Sequence, residues 1–200
     1  MSSPGTGKTS TIVEAMRQLL LQSPNARILA CAPSNTAADI IANRLKVLGK
    51  SVLFRLNSLS RKTEDLNKDL HQYALVNDNN VFAFPLVEEL KKYRVIVSTC
   101  ITAGVLWGIG FKKGDFSHIF IDEAGHGEEP EIMIPFRTLG NEFTNFVLAG
   151  DHRQLGPEIN SPIARKFELQ KSYLKRLMDR EIYDEELGRG LTYVPFHLRR

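Results

Sequence analysis

Lys8 and Thr9 close a glycine-rich stretch, SSPGTGKT at 2–9, and lead into an apolar helical segment. This nearly fits the pattern G-x-x-x-x-G-K-[ST], with Ser2 where the pattern has its first glycine. Gly5 and Gly7 let a backbone curl so that its N–H groups point at phosphate oxygens. Lys8 supplies a point charge for the outer phosphates of a nucleotide, and Thr9 a hydroxyl for Mg²⁺. A helix starting at Lys8 aims its positive end at the same anion. A second stretch, HIFIDEAGH at 118–126, sets two carboxylates after an apolar run. Asp122 suits a metal ion held through water, and Glu123 suits a base that orients and deprotonates an attacking water. A third, NFVLAGDHRQLGP at 145–157, ends an apolar run in a polar loop that places Gln154 to contact a terminal phosphate. Each has a plainer reading, as a glycine-rich turn, a solvated strand end or a Gly-Asp turn. Their order along one chain favours the chemical reading.

Two further stretches are polar but uncharged at the point where an apolar run ends. APSNTAAD at 32–39 offers Ser34 and Asn35, and STCITAG at 98–104 offers Ser98 and Thr99. Small hydroxyl and amide side chains at helix N-termini hold a phosphodiester backbone without charge. The same residues also cap helices, and both roles are open for Ser34.

These groups need strands to carry them. RILACA (27–32), VLFRL (52–56), RVIVSTC (94–100), HIFIDEA (118–124) and NFVLAGD (145–151) are short apolar runs of the buried-strand type. Helices are predicted over 8–22, with Ile12, Ala15, Met16, Leu19 and Leu20 on one face, and over 34–48, capped by Ser34 and ended by Gly49. Strands alternating with helices predict an α/β fold, a parallel sheet with helices on both faces. Ligands then sit beyond the carboxyl ends of the strands, where all the residues above fall. Residues 57–80 read as a long polar excursion that holds short helices or is mobile. Residues 162–187 read as charged amphipathic helices, and GLTYV near the end as the start of a strand.

Composition sets the outer limits. The 200 residues are 42% hydrophobic and 24% charged, enough for a folded core. No run approaches the roughly 20 apolar residues of a membrane span. The opening MSSPGTGKTS lacks the apolar stretch of a secretory signal. Two cysteines, Cys31 and Cys100, fall in apolar runs and suggest a reduced protein rather than a disulfide scaffold. The net charge of +3 is carried by the last part of the chain: residues 1–163 hold 17 basic and 17 acidic side chains, residues 164–200 hold 9 and 6. That balance argues against nucleic-acid binding by bulk charge.

Taken in order, GTGKT, APSNTAAD, STCITAG, DEAGH and GDHRQLGP resemble motifs I, Ia, Ib, II and III of the first RecA-like motor domain of superfamily 1 helicases of the Upf-like group. DEAGHGEEPE (122–131), YRVIVSTCITAG (93–104) and RQLGPEINSPIARKFELQKSYLKRL (153–177) resemble the RNA-silencing helicases of the Armitage type, also called the Moloney leukaemia virus ten type. The likeness runs from residue 2 to about 194. It implies a RecA-like P-loop NTPase domain over 1–160, then a helical segment over 161–200 leading to a second motor domain outside this chain. It implies 5′-to-3′ movement on single-stranded RNA driven by ATP and Mg²⁺, partners among RNA-silencing proteins, and a cytoplasmic location. By position, Gly5, Thr6, Gly7, Lys8 and Thr9 bind nucleotide, Thr9 and Asp122 the metal, and Lys8, Glu123 and Gln154 serve catalysis. Ser34, Asn35, Thr99 and Thr102 touch the RNA backbone.

The family's pattern has a strand before motif I, and arginines in the second motor domain; neither is in these 200 residues. An arginine finger is worth roughly 10³–10⁵ in rate. The expectation is therefore little ATP hydrolysis by these residues alone, and reduced stability. A second reading, from another class, is a nucleotide- or RNA-binding module that does not turn over.

Overall fold

The computed structural model describes residues 7–151 and 154–183. Five strands, β1 (Ile28–Ala32), β2 (Leu53–Arg55), β3 (Val95–Thr99), β4 (His118–Ile121) and β5 (Asn145–Leu148), form one sheet in the order β2-β3-β1-β4-β5. Every pairing is parallel. Register aligns Ile28 with Val95 and His118, and His118 with Asn145. The carboxyl ends of the strands thus open along one edge of the sheet.

The two-residue period of a strand sorts its side chains between two cores. Ile28, Ala30, Ala32, Val95, Val97 and Phe120 face α1 (Lys8–Gln22) and α2 (Asn35–Leu45). Leu29, Cys31, Ile96, Ile119 and Ile121 face α4 (Cys100–Gly108) and α5 (Glu129–Leu139). This is the doubly covered parallel sheet expected from the alternation of runs. In α1 the buried stripe is Ile12, Val13, Met16 and Leu20. Val13 takes the inward place expected of Ala15, which is exposed.

Boundaries differ from the sequence reading in two instructive places. The helix expected over 34–48 is α2, then a tighter 3₁₀ turn at Lys46–Leu48, closed by Gly49 at φ 82°. Only a glycine takes that left-handed turn at no steric cost. The strand expected over 94–100 stops at Thr99, because the Thr99 side chain caps α4. Cys100 is therefore helical, and both cysteines are buried and free.

Residues 57–80 hold short 3₁₀ helices at Thr63–Asp65 and Lys68–Tyr73, and an α-helical turn follows at α3 (Val87–Leu90). Two antiparallel bridges, Lys62 with Val81 and Val76 with Phe82, close the excursion on itself. It drives Leu66, Leu70, Tyr73 and Phe82 into the α1–α2 core. Beyond β5 lie α6 (Pro162–Lys166), α7 (Tyr173–Met178) and a 3₁₀ turn at Glu181–Tyr183. Tyr173 and Leu174 pack on the α4–α5 core. The strand expected at GLTYV lies outside the described residues. Among the described residues no helix is long and apolar enough to cross a membrane.

Candidate nucleotide and nucleic-acid site

Gly7 precedes α1 in the left-handed conformation, φ 82°, a turn that sets Lys8 and Thr9 in the first helical turn. Thr9 Oγ1 donates to Asp122 Oδ2 at 2.7 Å, across 113 residues of chain. Asp122 follows β4 directly and is 2% exposed. Its backbone N–H donates to the Cys31 carbonyl, and its Oδ1 accepts from the Glu123 N–H at 3.0 Å. The carboxylate is thus held at the end of the sheet, against the positive end of a 15-residue helix. Gly5 and Thr6 lie outside the described residues.

Glu123 has φ 54°, a conformation side-chain-bearing residues rarely adopt. The neighbouring contacts account for it. Ala124 N–H donates to Ala149 O at 2.8 Å, which ties the 122–127 loop to the end of β5. A Cβ at Gly125 would lie 2.7 Å from the Asp151 carbonyl oxygen, and one at Gly150 would lie 2.8 Å from the Gly125 nitrogen. The two loops therefore meet backbone to backbone just after Glu123, whose side chain stays partly exposed.

Gln154 reaches the same place through His126. The imidazole Nε2 lies 3.2 Å from Gln154 Oε1, and Nδ1 lies 3.8 Å from the Glu123 carboxylate. His126 closes the DEAGH stretch, where residue type alone gives it no role. Its signal was its spacing, three residues after Glu123 in a turn. The structure thus brings Gly7, Lys8, Thr9, Asp122, Glu123 and Gln154 to one end of the sheet.

A hydroxyl and a carboxylate in hydrogen-bond contact, beside a helix N-terminus, fit Mg²⁺, which takes few protein ligands and completes its shell with water and phosphate. No three His, Cys, Asp or Glu side chains gather into a metal cage among the described residues.

The four residues assigned to the RNA backbone divide into two pairs. Thr99 and Thr102 are buried. Thr99 Oγ1 accepts from the Thr102 N–H at 3.2 Å and donates to Thr102 Oγ1 at 2.8 Å. Thr99 thus caps α4, with its hydroxyl and that of Thr102 engaged with each other. Ser98 is also turned inward, donating to the Thr99 carbonyl at 2.9 Å. Ser34 caps α2, accepting from the Ala37 N–H at 3.1 Å, but stays exposed. Asn35 is half-buried, and its Oδ1 accepts from Arg55 Nη2 at 3.1 Å.

Arg55 is a buried cation, hidden in the sequence as the one polar residue of the apolar run VLFRL. Burial lowers its pKa to about 10, against the opposing pull of Asp39, so it stays charged at neutral pH. Asp39 accepts from Arg55 Nε at 2.9 Å and from Arg61 Nη2 at 2.6 Å.

Residues 2–80 and 48–162 match a family model described as an AAA domain. The putative helicase mov-10-B.1 of Danio rerio is 46% identical over 198 residues, covering 96% of this chain and 19% of the relative. The RNA helicase Mov10l1 of Homo sapiens is 39% identical, covering 92% and 15%. The probable RNA helicase armi of Drosophila melanogaster is 35% identical, covering 93% and 17%. The chain thus spans less than a fifth of the length of these relatives. The match takes in the Thr9–Asp122 contact and the Glu123–His126–Gln154 cluster, and the chain belongs to the AAA-domain family, alongside the Mov10 and Armitage proteins.

Proposed function

We propose that this chain supplies the nucleotide-binding half of an ATP-dependent RNA helicase motor. It moves 5′-to-3′ on single-stranded RNA in the cytoplasm, in RNA-mediated gene silencing with silencing proteins as partners. The observation that carries the motor reading is the 2.7 Å bond from Thr9 to Asp122. It joins the helix that receives phosphates to the strand end that carries the acid pair. The RNA and silencing parts of the reading are supported by the names of the Mov10l1 and armi relatives.

Lys8 and the first N–H groups of α1 hold the terminal phosphates of ATP. Thr9 and Asp122 are the residues that would hold Mg²⁺. When bound, that ion offsets charge on the phosphate oxygens. Glu123 takes a proton from water as the water oxygen bonds to the γ-phosphorus and the bond to the β-phosphate oxygen breaks. Gln154, held by His126 beside Glu123, contacts the γ-phosphate and reports its loss to the loop after β5. Ser34 and Asn35 contact the RNA backbone, a sequence-independent mode that suits the balanced charge.

Lys8→Ala tests this. The expected outcome is loss of Mg·ATP affinity by about 100-fold, of the order of one strong charge-assisted bond. It is measured with a fluorescent ATP analogue, with RNA affinity in the absence of nucleotide retained. Unchanged nucleotide affinity in that variant would overturn the reading.

A further inference from the structure

Arg55 ends β2 with its side chain wholly buried, and each guanidinium nitrogen has one acceptor. Nε donates to Asp39 Oδ1 at 2.9 Å, Nη1 to the Leu56 carbonyl at 2.5 Å, and Nη2 to Asn35 Oδ1 at 3.1 Å. A guanidinium has five donors and no acceptor. Chemistry alone therefore decides which way the Asn35 amide lies: the oxygen must face Arg55. The Nδ2 amino group is then turned away from Arg55, and among the described residues it makes no hydrogen bond. Asn35 is half-buried, next to exposed Ser34, beyond the carboxyl end of β1.

The charges behind it have a sign. Asp39 is shared by Arg55 and Arg61. Arg61 is itself fixed, with Nη1 on Asn57 Oδ1 at 2.8 Å and Nη2 on the Asp65 carbonyl at 2.8 Å. Two cations on one carboxylate leave a net positive charge beneath the outward-facing amide. A donor backed by positive charge selects an anionic acceptor.

We propose that Arg55 is a positioning residue that locks the Asn35 amide with its NH₂ outward, as a donor to a phosphodiester oxygen of single-stranded nucleic acid. The inference rests on the RNA-binding part of the reading above, and sharpens it. Asp39 and Arg61 hold Arg55 in place. The 57–65 turn, which bears Arg61, is thereby tied to the nucleic-acid contact.

Asn35→Asp is the decisive variant. The substitution keeps an oxygen facing Arg55, so the fold and the buried contacts survive, and it replaces the outward donor with an anionic acceptor. The probe is a fluorescent oligouridine titrated into the full chain, with affinity for the ATP analogue as control. The expected result is a 10- to 100-fold weaker affinity for oligouridine, the range of a lost charge-assisted bond, with ATP-analogue affinity unchanged. Equal oligouridine affinity in Asn35→Asp and the parent chain overturns the inference and leaves the helicase reading standing. A parent chain that binds no oligouridine overturns both.

Arg55→Lys separates positioning from mere structure. If Arg55 acts through Asn35, Arg55→Lys weakens oligouridine binding in the parent chain and adds nothing in the Asn35→Asp background. An equal loss in both backgrounds overturns the positioning role. If Arg55→Lys does not fold, the Asn35→Asp titration still decides whether the outward donor exists.

Discussion

The two edges of the sheet are covered in opposite ways. β2 is an edge strand, yet Leu53, Phe54 and Arg55 are all buried. The 57–80 excursion and the bridge that closes it at Phe82 are the cause, since they bring Leu66, Leu70, Tyr73 and Phe82 onto the same core and Arg61 onto Asp39. β5 is the other edge. Asn145 is exposed, and Phe146, Val147 and Leu148 are half-buried. Among the described residues no strand pairs with its outer side. One edge is thus sealed with apolar side chains and a buried ion pair, while the other keeps open the backbone groups that could take a further strand. The sealed edge braces the proposed nucleic-acid contact. The open edge leads into the loop that carries Gln154.

The largest test of the sealed edge is Asp39→Ala. It leaves Arg55 and Arg61 without their shared counter-charge, one of them wholly buried. Breaking a buried pair from one side costs about 3–5 kcal/mol, because the remaining charge stays desolvated. Urea unfolding of the variant against the parent chain measures it. A loss under about 1 kcal/mol would mean that water reaches the cluster, and the edge would then be no better sealed than β5.

The next test sets one edge directly against the other. Leu70→Ala removes a wholly buried side chain from the excursion and is expected to cost about 3 kcal/mol, within the range for a core cavity. Val147→Ala trims a half-buried side chain of β5 and is expected to cost about 1 kcal/mol or less. The pair of unfolding midpoints reads the contrast. Equal losses would erase it.

The same contrast explains what was legible in the sequence. The central strands are continuous apolar runs, buried on both sides, and their order of motifs already located Lys8, Thr9, Asp122 and Glu123. The excursion was legible as short helices in a polar stretch, but its buried face was not, because 3₁₀ turns have no long apolar period and Leu66, Leu70 and Tyr73 are spaced among polar residues. Nor was α5, whose Pro135 lies inside a helix. Its ring nevertheless packs inward, and the first turn carries Pro130, where a missing N–H costs nothing. The roles of Thr99 and Asn35 could not be separated by residue type, since capping and ligand contact ask for the same small polar side chains. Their neighbours separate them. Thr102 lies opposite Thr99 and engages its hydroxyl, whereas Arg55 lies opposite Asn35 and engages its oxygen.

His118 gives the smallest expected effect, and it falls between the two edges. It opens β4, paired in register with Ile28 on one side and Asn145 of β5 on the other. Its Nδ1 lies 3.0 Å from Ser117 Oγ, and its ring stacks with Phe120 at 6.3 Å between centroids. Burial lowers its pKa below the ordinary value of 6.5. Well above pH 6.5 the ring is neutral in both the folded and the unfolded chain, and its contribution to stability is complete. As the pH falls below 6.5 the unfolded chain takes up a proton that the folded chain resists, so stability is lost until the lowered folded pKa is passed. His118→Gln removes that slope. Urea midpoints at pH 7.5 and pH 5.5 should therefore differ less in the variant than in the parent chain, about by the share that His118 supplies. An unchanged difference would show that water reaches the ring, and the exposed character of β5 would then extend one strand further into the sheet.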